Sequence, residues 1–353
     1  MKIYPLVVGI LVTAALAGCG GGGGDGTAER NEAASTQEVA RKKQPPHPAP
    51  GDPRDSGKTA TIYVAMDGWD SAETVSMLMA ERLGYFKKKR IYPITLSPVT
   101  PKLTIPDVVK GQDAIGVAHG PEVVAARDKG APIVIVGNVL QQSTAAFIWT
   151  KESGIKGIAD LKGKTVAIPG LNFQWSFLHN VLTEGGLSES EVNVISVGND
   201  LVPALLKGRA DAIFGGSAEV EGVNLASHGQ EPVVTPVSEL GVPDYDELVF
   251  VARRNIAESN PQLMKDFVKA VAHGAYVATD KPDLATKALV ASGESDPEVG
   301  PAAMEEQVKA TVGKLSDSGY VDPARFQHLI DWMYENEMIS EDYSVDQILP
   351  KIR

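Results

Sequence analysis

The side chains best suited to chemistry are thinly spread in this chain. Its 353 residues contain six histidines and one cysteine. The histidines, His47, His119, His179, His228, His273 and His328, show no pair at metal-ligand spacing. With no thiolate beyond Cys19, zinc and iron–sulfur centres are not expected, and no metal or cofactor is predicted. Gly163-Lys164-Thr165 has the ending of a phosphate-binding loop, but Ile158 stands where such a loop needs its first glycine. No Gly-x-Ser-x-Gly elbow occurs. Acid–base catalysis needs two titratable groups held over one substrate. The sequence offers no dependable pair, so a binding protein rather than an enzyme is expected.

Ligand-binding candidates come from the order of the elements. Strand and helix signals alternate from Thr59 onward, which predicts mainly parallel sheets flanked by helices, an α/β fold. Ligands of such sheets gather outside the carboxyl ends of the strands. Asp67, Trp69 and Ser71 follow the first strand, 61–65. His119 ends the strand before Gly120-Pro121, and Gln142 and Ser143 follow the strand ending at Val139. Asn172, Phe173 and Trp175 follow Thr165–Ile168, and Glu219 and Glu221 follow Ala212–Phe214. Aromatic faces stack on flat rings, and carboxylates and amides bond ring nitrogens and amino groups. This set suits a planar, nitrogen-rich, neutral or cationic ligand. An inorganic or sulfonate anion fits less well, because no arginine or lysine stands at those strand ends. Glu219 and Glu221 are two apart at a helix start, so at most one faces the cleft. Asp70 and Glu73 are expected to cap a helix rather than touch ligand.

The flanks define the organisation. Lys2, an apolar run from Ile3 to Leu16, and Leu16-Ala17-Gly18-Cys19 form a lipoprotein signal over residues 1–18, with Cys19 as the lipidated residue. Residues 19–58, rich in Gly, Ala, Glu, Gln and Pro, lack any apolar periodicity and predict a disordered tether. The expected location is extracytoplasmic, in the periplasm or on the outer face of the cell membrane, held there by lipid alone. The body is expected to form two lobes, 59–150 with 247–353 and 151–246, crossing near Thr150 and Glu247. Beyond Asn255 only helices are predicted, opened by Pro261, Pro282, Pro301 and Pro323. A net charge of -12 argues against nucleic acid. The one basic run, Lys87-Lys88-Lys89-Arg90, complements a helix C-terminus.

Four stretches carry a family resemblance: Ala80-Glu81-Arg82-Leu83-Gly84-Tyr85-Phe86, Asp160-Leu161-Lys162-Gly163-Lys164, Gly208-Arg209-Ala210-Asp211-Ala212-Ile213-Phe214-Gly215-Gly216 with Glu221 beyond it, and Gly241-Val242-Pro243-Asp244-Tyr245-Asp246-Glu247-Leu248-Val249. With them the body resembles the solute-binding proteins of the nitrate, sulfonate and taurine superfamily, and most closely the branch that binds thiamine pyrimidine precursors. The resemblance implies a two-lobed type II binding-protein fold that closes on a small molecule and delivers it to an ABC permease, working as a monomer. It also implies that Glu221 contacts an aminopyrimidine. Riboflavin, or an alkylsulfonate, taurine or nitrate anion, is the alternative ligand; an exported enzyme or a ligand sensor is the alternative role. One fungal relative in this branch makes the pyrimidine by consuming its own histidine. Here Thr74 occupies the histidine slot, and Gly68 the usual tryptophan slot with Trp69 one residue on.

Overall fold

The structure, a computed structural model, describes residues 52–66, 68, 70–96, 104–111, 114–293 and 295–350. The predicted signal segment, Cys19 and nearly all of the predicted tether lie outside the described residues. No described helix is long and apolar enough to cross a membrane.

Two five-stranded sheets organise the body. The first contains β1 (Ala60–Ala65), β2 (Ile91–Leu96), β3 (Ile115–His119), β4 (Ile133–Leu140) and β10 (Leu248–Arg253), in the order β2-β1-β3-β10-β4. The second contains β5 (Ala145–Thr150), β6 (Thr165–Ile168), β7 (Asn193–Ser196), β8 (Ala212–Ser217) and β9 (Pro232–Pro236), in the order β7-β6-β8-β5-β9. In each sheet one strand runs against the others: β10 is antiparallel to β3 and β4, and β5 to β8 and β9. The reversed strands are the two that enter directly from a crossover. The remaining pairs are parallel, as expected for helix-covered sheets. Covering on both faces explains the apolar runs of β3 and β4, where Ile115, Val117, Ile133 and Val134 are fully buried.

The intervening helices are α1 (Val75–Arg82), α2 (Tyr85–Lys88), α3 (Thr104–Lys110), α4 (Gly120–Asp128), α5 (Asn172–Glu184), α6 (Leu201–Leu206) and α7 (Val223–Ser227). The tail supplies α8 (Arg254–Ser259), α9 (Pro261–Asp280), α10 (Pro282–Ser292), α11 (Pro301–Thr311) and α12 (Pro323–Glu335). The four predicted prolines each open a helix, where a missing N–H costs nothing. Asp322 caps α12 by accepting from the Ala324 N–H at 2.9 Å.

Several expectations change. The first crossing spans residues 141–144, earlier than Thr150, because β5 pairs with β8 and β9 rather than with the first sheet. β9 is an edge strand bounded by proline at both ends, a composition that conceals a strand in sequence. The helix start that carries Glu219 and Glu221 is a π-turn, Ala218–Gly222. Asp70 and Glu73 do not cap α1, whose N-cap is Thr74; both side chains turn to the cleft.

The tail is pressed closely onto the first sheet. At Gly274 in α9, a Cβ would lie 2.1 Å from the Ser76 carbonyl oxygen of α1. Gly274→Ala is therefore expected to force the two helices apart and cost about 1–3 kcal/mol, read as a lower thermal midpoint. An unchanged midpoint would mean that this contact is not fixed in solution.

Candidate ligand-binding cleft

The carboxyl ends of the parallel strands of both sheets converge on one cleft. His119 at the end of β3, Pro169 beyond β6, Asn199 beyond β7 and Ser217 at the end of β8 all line it. The reversed strands reach it with their amino ends, through Thr144 and Ala145 before and in β5 and Glu247 and Leu248 before and in β10. The cavity measures about 180 Å³. The tail closes one side, with Asp296, Met304 and Gln307 in the lining. Gln307 donates from Nε2 to the Val220 carbonyl at 3.1 Å, and Lys314 pairs with Glu219 at 2.5 Å, so the tail also grips the second sheet.

The lining is acidic. Asp70, Glu73, Glu221, Glu247 and Asp296 face the cavity, and no lysine or arginine does so among the described residues. Glu247 is buried and ionised. One oxygen accepts from the N–H groups of Thr144 at 2.9 Å and Ala145 at 3.2 Å and from the Ser143 hydroxyl at 3.3 Å. The other lies 2.8 Å from His119 Nδ1. Burial alone would raise its carboxyl, but His119 and the two backbone donors outweigh burial and hold it below the usual carboxylate range. With Glu247 ionised, Nδ1 of His119 is the donor, which fixes the tautomer.

Glu73 and Glu221 behave in the opposite way. Each keeps some accessible surface, but that surface opens into the narrow cleft and not into bulk water. Burial, and then the charge of Glu247, pushes Glu73 up to about 7, although the hydroxyls of Thr144 and Ser217 oppose this. Burial, and then the charge of Glu73, pushes Glu221 up to about 7, against the Ser217 N–H that it accepts at 2.6 Å. Glycine at 216 makes that approach possible, since a Cβ there would lie 3.2 Å from Glu221 Cγ. Each can hold a proton near neutrality and take an N–H donor or a cation once it is lost.

Glu247 and Arg325 bind the two crossings together. The first crossing supplies Ser143 and Thr144 to Glu247, which sits at the second. Asp244 also accepts from the Ser143 N–H at 3.2 Å. Arg325 of α12 donates to the Gln141 carbonyl and, at 3.2 Å, to Asp246.

The predicted candidates divide. Ser71, His119 and Glu221 line the cleft. Asp67 and Trp69 lie outside the described residues. Ser143 stands one layer back, on Glu247. Gln142 and Asn172 are exposed away from the cavity. Phe173 is buried behind His119 at 5.6 Å between ring centroids, backing it and not the cavity. Trp175 packs at the surface groove beside Met338. Both miss the cleft because α5 starts at Asn172, with Leu171 and Gln174 turned to the cavity instead. Glu219 turns out to Lys314 while Glu221 turns in, so the two do diverge. Sequence reasoning missed Asn224, Asp296 and Gln307. Helix signals without strand ends gave no reason to place the last two at a ligand.

Two mainly parallel sheets joined by two crossings, with a cleft at their strand ends, define the periplasmic-binding-protein fold. Consistent with this, the structure superposes on the alkanesulfonate-binding protein SsuA of Xanthomonas axonopodis pv. citri bound to MOPS, with a TM-score of 0.66 at 17% identity, covering 83% of this chain and 99% of that one. The family described as NMT1/THI5 like matches residues 71–285, and the chain belongs to that family. It is 25% identical to the formylaminopyrimidine-binding protein of Halalkalibacterium halodurans, over 80% of this chain and 88% of the relative. It is 26% identical to the 4-amino-5-hydroxymethyl-2-methylpyrimidine phosphate synthase of Legionella pneumophila subsp. pneumophila, over 66% of this chain and 74% of the relative.

Proposed function

We propose that this protein is the extracytoplasmic solute-binding component of an ABC importer, lipid-anchored through Cys19, monomeric, and specific for a small amino-substituted nitrogen heterocycle of the thiamine pyrimidine precursor type. The observation that carries the reading is the charge of the cleft: five acidic residues face the cavity, and no lysine or arginine balances them among the described residues. Such a lining repels sulfonates and nitrate and receives amino groups. The formylaminopyrimidine-binding relative supports the same ligand class. Size favours one ring over the tricyclic flavin, since a cavity of about 150 Å³ accepts benzene and this one is about 180 Å³. The lobes proposed to close on the ligand are the first sheet with the tail and the second sheet, hinged at the two crossings.

Synthesis of the pyrimidine is disfavoured by Thr74, which stands in the slot of the consumed histidine, at the N-cap position of α1. His119, the histidine facing the cavity, is held by Glu247. Thermal melting against aminopyrimidines, thiamine, riboflavin, taurine, alkylsulfonates and nitrate tests the reading. A ligand at a hundred times its Kd adds about 2.7 kcal/mol, and aminopyrimidines are expected to give that shift. Glu221→Gln should weaken the same ligands. Stabilisation by sulfonates or nitrate alone would overturn the proposal.

A further inference from the structure

Gln174 of α5 lines the cleft and keeps only 3% of its surface. Its Oε1 accepts from the N–H groups of Gly170 at 3.0 Å and Leu171 at 2.9 Å. Both partners are donors, so the orientation of the amide is fixed and its other corner is Nε2. Nε2 donates to nothing among the described residues, and it is not one of the unpaired polar atoms sealed inside the fold. It lies against Gly215 of β8, itself in the lining, where a Cβ would be 3.3 Å away. Glu221 lies in the same way against Gly216. A donor and an acceptor therefore stand at successive residues of one strand.

A nitrogen heterocycle has a use for such a donor. The carboxylates of the cleft receive amino groups, but once ionised they cannot serve a ring nitrogen, which only accepts. Thr144 gives its hydroxyl hydrogen to Glu73, and Gln307 gives an amide hydrogen to the Val220 carbonyl. Building on the ligand class proposed above, we infer that Gln174 is a specificity-determining residue, whose Nε2 donates to a ring nitrogen of the ligand while Glu221 receives the amino group on the neighbouring carbon. The two backbone N–H groups hold the amide in place before the ligand arrives, so little ordering is left to binding. Sites that hydrogen-bond a polar group reject the analogue lacking it, because the protein group is then left unpaired.

Titration calorimetry at pH 8, where Glu73 and Glu221 are ionised, compares two neutral probes. 4-Amino-2-methylpyrimidine carries ring nitrogens; 3-methylaniline sets the same amino and methyl groups on an all-carbon ring. Wild type is expected to prefer the pyrimidine by about 10-fold or more. Gln174→Glu keeps the shape of the side chain and an oxygen for the Gly170 and Leu171 N–H groups, but turns an acceptor to the cavity. It should lose about 10-fold or more in affinity for the pyrimidine, and the preference with it. Gln174→Met, of the same unbranched length, removes the donor without adding a charge and should erase the preference in the same way. It also leaves the two N–H groups unpaired, so its ligand-free midpoint should fall, and the glutamate variant carries the comparison if methionine disturbs folding. Equal affinity of wild type for both probes, or a preference that survives in either folded variant, would overturn the role of Gln174 and leave the proposed function standing. Wild-type protein that binds neither probe would overturn the ligand class itself, and this inference with it.

Discussion

Glu247→Leu is expected to lower the thermal midpoint by about 10 °C and to abolish ligand binding. Leucine fills the space but accepts nothing. The N–H groups of Thr144 and Ala145, the Ser143 hydroxyl and His119 would all lose their partner in a buried place. Removing one member of such a buried charged network costs about 3–5 kcal/mol. Binding would suffer as well, because Ser143 and Thr144 belong to the first crossing and His119 faces the cavity. Glu247→Gln separates charge from hydrogen bonding. Its carbonyl can still receive the backbone donors, and His119 can change tautomer to accept from the amide. The glutamine variant should therefore recover about half of the lost stability. A leucine variant that melts with wild type would show that the crossings are held by other contacts.

The second large effect is a pH dependence in the ligand-free protein. Glu73 and Glu221 hold their protons more tightly in the fold, near pH 7, than in the unfolded chain, where the ordinary value is 4.5. The native state thus binds more protons between those limits, so stability falls as pH rises from about 4.5 to about 7 and then levels. Each carboxyl contributes at most about 3 kcal/mol to that fall. Glu247 acts in a different window: its lowered value gives stability above pH 4.5 that is lost only as pH drops below it. Melting curves from pH 5 to pH 8 read the first pair, with Asp246, which burial pushes up to about 6, adding to the slope only at the acid end. Glu73→Gln imitates a permanently protonated carboxyl, and it should flatten the slope and exceed wild type at pH 8. Bound aminopyrimidine should also flatten it, by giving the ionised carboxylates a donor. A wild-type midpoint that does not move over this range would refute the coupling.

How far these features were legible in the sequence varies with their physical origin. Helix starts at Pro261, Pro282, Pro301 and Pro323 and the strand Thr165–Ile168 are local, set by a fixed φ or a short β-branched run, and the structure agrees with them. The carboxyl-end rule led to His119 and Glu221 through position alone. The rule failed at Asn172 and Trp175, where helix phase decides direction and one residue of shift turns a side chain from cavity to surface. Glu73 illustrates a different failure. Its spacing from Asp70 fits a cap, yet the α1 start falls at Val75, and the carboxyl instead meets Thr144, 71 residues away in sequence. Neither the reversed direction of β5 nor the tail residues in the lining leave any local trace, because both depend on which distant element completes the site.

The place of β10 bears on how the chain reaches its destination. β10 lies between β3 and β4 in the first sheet, so β4 has no strand neighbour until residues 248–253 arrive. More than a hundred residues of the second sheet must emerge from the ribosome in between. Long-range pairing of this kind is slow, because loop closure precedes any reward. The amino-terminal half therefore stays without its core until late in synthesis. For the export proposed above, with the polypeptide threaded through a narrow translocation channel, delayed closure is an advantage: the proposed signal segment engages the channel before the first sheet can lock.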